Sequence, residues 1–166
     1  MRKILGLSLI CLMLCLSFAT AQESSPKYIV LLDESLMNDD ADPSVSAAWL
    51  SYALSHVNWI KDHYKDKDPV KDYKLTFEEE LFCRDNMVQV WYEIQEKTPG
   101  LQDVYLNETL TVRNAGFLEE YVWTYHSYEG WTLPENLELK EFDAWMAENL
   151  TEHQPKTLSR IEIQSE

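Results

Sequence analysis

Three side chains of this sequence have both the chemistry and the placement to build a site. They are His56 in WLSYALSHVNWIKDHY, His126 in AGFLEEYVWTYHSYE, and Arg84 in FEEELFCRDNMVQVW. An imidazole titrates closest to neutrality of all side chains and can serve as ligand, base or acid. A guanidinium cannot shed its charge, so on an inward helix face it must meet a carboxylate or an anionic ligand. Stepping 100° per residue places Arg84 among Leu81, Val88 and Trp91, which is such a face. Glu80, one turn earlier, is a ready partner. The structural reading is therefore an Arg84–Glu80 pair with its stem on Trp91. The functional reading is an anion-binding Arg84 facing a cleft with His56 or His126.

Metal chemistry has less support. His56 and His63 stand seven residues apart, roughly 10 Å along a helix, whereas a shared ion wants i and i+4. The E-x-x-H pair of di-iron bundles and the C-x-x-C-H haem signal are both missing. A zinc site assembled from His56, His126 and an acid such as Glu119 or Glu120 stays geometrically open. Hydrogen-bonded core histidines are the commoner outcome. Cys83 has no base near it in sequence and reads as an inert buried thiol. No nucleophile elbow, phosphate loop or dinucleotide fingerprint is present, and NDDADP lacks the glycine and glutamate of a calcium loop. The sequence thus assigns no catalytic residue, metal or cofactor.

Aromatic residues are the other resource. Most of the six tryptophans fall on helical stripes and read as core. Trp123 points off its stripe, and Trp131 sits beside Gly130 in the loop SYEGWTLPEN. With Tyr128 they form the candidate contact patch for a partner. Two N-x-[ST] sequons, at Asn107 and Asn149, matter only where the source glycosylates.

The elements that must position these residues can be read in order. Residues 1–21 have a basic start, an apolar run from Ile4 to Phe18, and alanines at 19 and 21. That is the three-part pattern of a secretory signal, with an expected cut after Ala21. Its apolar run is short of the roughly 20 residues of a membrane span, which leaves an uncleaved anchor as the lesser alternative. Residues 22–42 form a polar lead and N-terminal segment, 43–153 a helical domain, and 154–166 a C-terminal tail. The first helix is expected from Pro43 or Ser44 to about Lys65, with Val45, Trp49, Tyr52, His56, Trp59 and His63 on one face. The second starts at a capping box, Thr76 with Glu79, and stops before Thr98-Pro99-Gly100. LQDVYLNETLTV reads as a short turn leading into a third helix that ends at Gly130, and a fourth follows Pro134. YIVLL at 28–32 is a compact apolar run that reads as a strand or the entry to a helix. The tail alternates briefly at Ile161 and Ile163 and reads as an edge strand that could pair with it. The fold class is mainly all-α: an antiparallel bundle of about four amphipathic helices, with short terminal strands as an addition.

Charge narrows the function. The chain carries 14 basic against 29 acidic residues. Loss of Arg2 and Lys3 with the signal leaves 12 against 29, a net charge of −17. Such a field repels nucleic acid and anionic membrane and suits a basic protein partner. Cleavage also leaves Cys83 as the lone cysteine, so no intrachain disulfide can form. The expected protein is exported, periplasmic or secreted, and non-enzymatic: a small helical interaction protein with an acidic, aromatic-studded surface. One alternative is a small periplasmic enzyme or metal-binding protein built on His56, His126 and Arg84. Another is a carrier holding a small ligand between aromatic-rich helices.

Overall fold

The computed structural model describes residues 26–150 and 156–165. The expected signal at 1–21 lies outside the described residues. The chain is mainly helical, with a two-stranded antiparallel sheet made by its ends. Strand β1 (Lys27–Leu32) pairs with β2 (Ser159–Gln164), Lys27 opposite Gln164 and Leu32 opposite Ser159. Both strands lie against helix α1 (Pro43–His63). Their join is tied down where Asp33 N donates to Leu158 O at 2.7 Å and Ser159 Oγ to Trp49 O at 2.7 Å.

Asp42 starts α1: its carboxylate accepts from Ser44 N at 2.7 Å, and Pro43 occupies the first turn, where its missing N–H costs nothing. A four-residue helix α2 (Pro69–Asp72) interrupts the following loop. Helix α3 (Phe77–Lys97) is capped by Thr76, whose hydroxyl accepts from Glu79 N at 3.2 Å. His56 meets Glu79, Tyr52 meets Glu80, and Trp49 lies beside Arg84. The numbers run in opposite senses, so α1 and α3 are antiparallel. They are also the most extensive helix pair.

The middle of the chain departs from the sequence reading. LQDVYLNETLTV is no lead-in turn but most of a separate helix, α4 (Val104–Ala115), started by Asp103 and closed by Gly116. Gly116 takes φ +84°, the left-handed conformation that frees its N–H for the carbonyls of the last turn. Helix α5 (Leu118–His126) follows at once and stops at Ser127, four residues before the next turn is finished at Trp131. Gly130 lies in the loop beyond the helix and does not cap it. Helix α6 (Leu139–Asn149) then covers the main core with Phe142 fully buried.

That core contains Trp49, Tyr52, Met87, Val88, Trp91, Leu106, Val112 and Tyr121, drawn from α1, α3, α4 and α5. A smaller cluster of Phe77, Leu118, Val122 and Leu137 has Leu81, Trp123 and Trp131 packed on it. Among the described residues, no helix is long and apolar enough to cross a membrane.

Candidate functional site

The inward face of α3 is not purely apolar, and its charges find one another. Glu79, Glu80 and Arg84 have no solvent exposure, and His56 and His126 are 5% and 6% exposed. Arg84 Nε donates to Glu80 Oε1 at 2.7 Å. Arg84 Nη1 reaches Tyr105 Oη at 2.8 Å and Lys156 O at 3.3 Å. Nη2 lies 3.3 Å from each of Tyr52 Oη, His126 Nδ1 and Thr157 Oγ1. The guanidinium also sits 4.3 Å from the Tyr52 ring centre, with Trp49 at 5.5 Å and Tyr105 at 5.9 Å. The rings it meets belong to α1 and α4, not to Trp91 of its own helix. One side chain therefore joins α1, α3, α4, α5 and the segment entering β2.

The tautomer of His126 follows. Arginine can only donate, so in the neutral ring Nδ1 accepts from Arg84 and the proton sits on Nε2. Nε2–H then donates to Tyr105 Oη, 3.2 Å away. His56 faces acids instead. Its Nδ1–H donates to Glu79 Oε1 at 2.7 Å, and Nε2 lies 3.7 Å from Glu80 Oε2. Glu79 Oε1 also accepts from Tyr73 Oη at 2.9 Å. The capping-box expectation thus holds for Thr76 but not for the carboxylate of Glu79. Two side-chain donors, from His56 and Tyr73, outweigh the one backbone N–H of half-buried Thr76.

His56, His126 and Arg84 are brought together around Glu80. Within this arrangement Glu79 Oε2 is buried without a hydrogen-bond partner among the described residues. Among the described residues, no group of three or more histidine, cysteine or acidic side chains is placed to hold a metal ion. His63 is exposed, stacked on Trp59 at 3.9 Å with its Nδ1 2.9 Å from Trp59 O. It and Trp59 fall at the open end of α1 and leave the core face the periodicity gives them. Cys83 is fully buried, and burial with Glu80 and Glu79 nearby pushes its thiol up. A thiol held protonated is no nucleophile.

The aromatic residues separate into two kinds. Trp123 and Trp131 are half-buried over Phe77, at 5.9 and 5.7 Å between ring centres, and Trp131 Nε1 donates to Leu75 O at 3.1 Å. Tyr128 packs on Trp131 at 5.3 Å yet stays 51% exposed. Burial raises the Tyr128 phenol, and Glu80 and Arg84 are near enough to act on it. Beside this cluster lies a groove of about 430 Å³ between α3 and the α4–α5 corner. Leu81, Phe82 and Leu118 are its apolar lining; Glu78, Asp85 and Glu119 line it too, with Arg113 beside Asp85. Leu81 and Leu118 belong to the same apolar cluster as Trp123 and Trp131, which makes groove and patch continuous. Phe82 is 41% exposed and touches Trp59 at 5.3 Å.

The sequence reading misses this groove, although one signal for it is present. The same 100° step that turns Arg84 inward turns Phe82 outward, and a large apolar residue on a polar face marks a contact. At the Asn107 sequon, Asn107 Oδ1 accepts from Trp91 and Gln95, Asn107 Nδ2 donates to Gln102, and Thr109 is buried. A glycan there would break those bonds. The last residue of the Asn149 sequon lies outside the described residues.

Glu80 gives the network a pH signature. Burial alone raises its carboxyl, but Arg84, His126, His56 and the Tyr52 hydroxyl more than reverse this and leave it below the ordinary 4.5. A carboxyl lowered by folding adds stability above its unfolded value, and that addition is lost as pH falls through the folded value. The stability gap between wild type and Glu80→Gln is expected to narrow as pH drops below about 4.5. Urea midpoints from about pH 7 to about pH 3 measure it. A gap that stays constant throughout would show that Glu80 does not titrate with folding.

Comparison with known proteins adds no further constraint: no protein-family model, curated protein or solved structure matches the chain.

Proposed function

We propose that this is an exported interaction protein that holds a basic partner segment in the groove between α3 and the α4–α5 corner. The observation that carries the reading is an apolar lining shared with acidic side chains. Phe82, Leu81 and Leu118 offer desolvation to one or two apolar side chains. Around them Asp85 is already paired with Arg113 at 2.5 Å, while Glu78 and Glu119 have no cationic partner among the described residues. A lysine or arginine beside an apolar anchor complements both features. The long-range field of an acidic chain favours the same partner.

The enzyme and metal readings lose weight on accessibility. Their residues, His56, His126 and Arg84, are spent on one another and on Glu79 and Glu80 inside the core. The carrier reading loses weight because Trp49 and Trp91 are buried members of the main apolar cluster. The architecture that accompanies the proposal is an antiparallel bundle centred on α1 and α3, with α5 and α4 on α3 and α6 on α5. Cleavage after Ala21 would put the partner outside the cytoplasm.

Native mass spectrometry of the protein drawn from its export compartment tests the proposal, wild type beside Phe82→Ser/Glu119→Lys. A second polypeptide riding with the wild type and at least about tenfold depleted from the variant is expected. Both variant positions are surface or half-buried, so thermal stability should move by only a few degrees. Equal capture by both proteins, or a bare chain in both, would overturn the groove as the contact.

A further inference from the structure

We infer that the cleft at the carboxyl end of α1 binds a small organic anion, one with a phosphate or carboxylate group on an apolar body. It is separate from the groove above and does not depend on it. The cleft measures about 410 Å³, within the usual range for small-molecule sites. Lys61, Lys65 and Lys67 converge on it, with Tyr28 of β1 and Tyr64 as aromatic walls. Pro26 and Pro69 also line it, and no acid among the described residues does. Asp62, Asp66 and Asp68 alternate with these lysines in the sequence but do not line the cleft, and that sorting of charge is the first observation.

The second is the state of the ammonium groups. Lys65 lies 3.3 Å from Asp62, both about two-thirds exposed, a pairing that constrains it little. Lys61 and Lys67 have no carboxylate partner and no hydrogen-bond acceptor among the described residues. Each is placed by a ring instead. Lys61 Nζ stands 5.5 Å from the Tyr28 ring centre and Lys67 Nζ 5.3 Å from that of Tyr64. A ring face positions an ammonium without consuming its N–H donors, which stay available to an anion. Helix-dipole compensation accounts for Lys61, in the last turn of α1, but not for Lys67, four residues past the helix end.

The ligand class follows from the surroundings. A polyanion would feel the acidic bulk of the molecule, whereas a small anion inside the cleft feels mainly charges within a Debye length of about 8 Å. Tyrosine and proline walls require an apolar portion on the ligand. Ammonium point charges take either phosphate or carboxylate, so the two sources are separated by experiment.

The test titrates the full chain with phenyl phosphate, with phthalate and with benzyl alcohol, followed by backbone amide NMR shifts. Saturable shifts confined to residues around Tyr28, Tyr64 and Lys67 are expected with one or both anions below about 10 mM. Phenyl phosphate alone saturating assigns phosphate; phthalate alone assigns carboxylate. Lys61→Gln/Lys67→Gln should weaken the better probe at least about tenfold, and Lys97→Gln should leave it unchanged. Benzyl alcohol saturating equally, shifts spread over all surface lysines, or no saturation by either anion would each overturn the inference.

Discussion

Replacing Arg84 by methionine is expected to remove about 3–5 kcal/mol of folding stability. The reason lies in what the guanidinium leaves behind. Glu80 stays in a site without solvent, holding only the Tyr52 hydroxyl at 2.7 Å and a distant His56 nitrogen. Tyr105, His126, Thr157 and Lys156 O lose a donor at once. Methionine fits the stem's volume, so the loss reports charge and hydrogen bonding more than a cavity. For a domain of this size the melting temperature should fall roughly 10–20 °C. The double variant Glu80→Gln/Arg84→Met should be less damaged than the sum of the two single changes, because neither then strands a buried charge. Urea unfolding of the four proteins gives the coupling directly. A loss under about 1 kcal/mol for Arg84→Met would mean the guanidinium is held at no structural gain. The anion-binding reading of Arg84 would then be the stronger one.

Much of this network is legible in the chain. Helical stepping puts Tyr52 and His56 on one face of α1, and Arg84 one turn from Glu80 on the inner face of α3. The capping residue Thr76 and the start at Pro43 are also visible, because caps are local chemistry. The sheet is half legible: the tail alternates at Ile161 and Ile163, whereas the unbroken apolar run YIVLL fits a strand or a helix entry until the pairing with β2 decides it.

What periodicity cannot give is which acid turns inward. Glu78, Glu79 and Glu80 are consecutive, and the capping-box rule sends Glu79 back to the backbone. Only the approach of His56 and Tyr73 from elsewhere in the chain draws it into the core. The misplaced helix boundary has a different origin. Apolar spacing continues across Asn114-Ala115-Gly116, so the stop is hidden until glycine's left-handed φ is weighed above the stripe. The lysine cleft is invisible for a third reason. KDHYKDKDPVKDYK alternates acid and base and reads as a solvated loop, yet folding directs three of its lysines to one side.

Trp91→Ala should cost about 3–5 kcal/mol, while Trp131→Ala should cost less than half as much and weaken partner binding instead. Trp91 is fully buried, and its indole N–H donates to Asn107 Oδ1 at 2.9 Å. Truncation removes one of the two tryptophans of the main cluster and opens a hole that Met87, Val88 and Leu106, themselves buried, can only partly fill. Asn107 keeps a donor from Gln95 at 2.7 Å, so the damage is chiefly lost packing. Trp131 occupies the rim of the smaller cluster, with part of its ring in solvent and one bond to Leu75 O. Its removal uncovers Phe77 and Trp123 without hollowing the core. Urea midpoints for the two variants, set beside partner capture by the Trp131 variant, separate core tryptophans from contact tryptophans. Similar losses of stability for both would place Trp131 in the core and take the aromatic patch away from the proposed interface. A loss below about 1 kcal/mol for Trp91→Ala would instead mean a space that tolerates emptying, and that is the behaviour a ligand carrier requires.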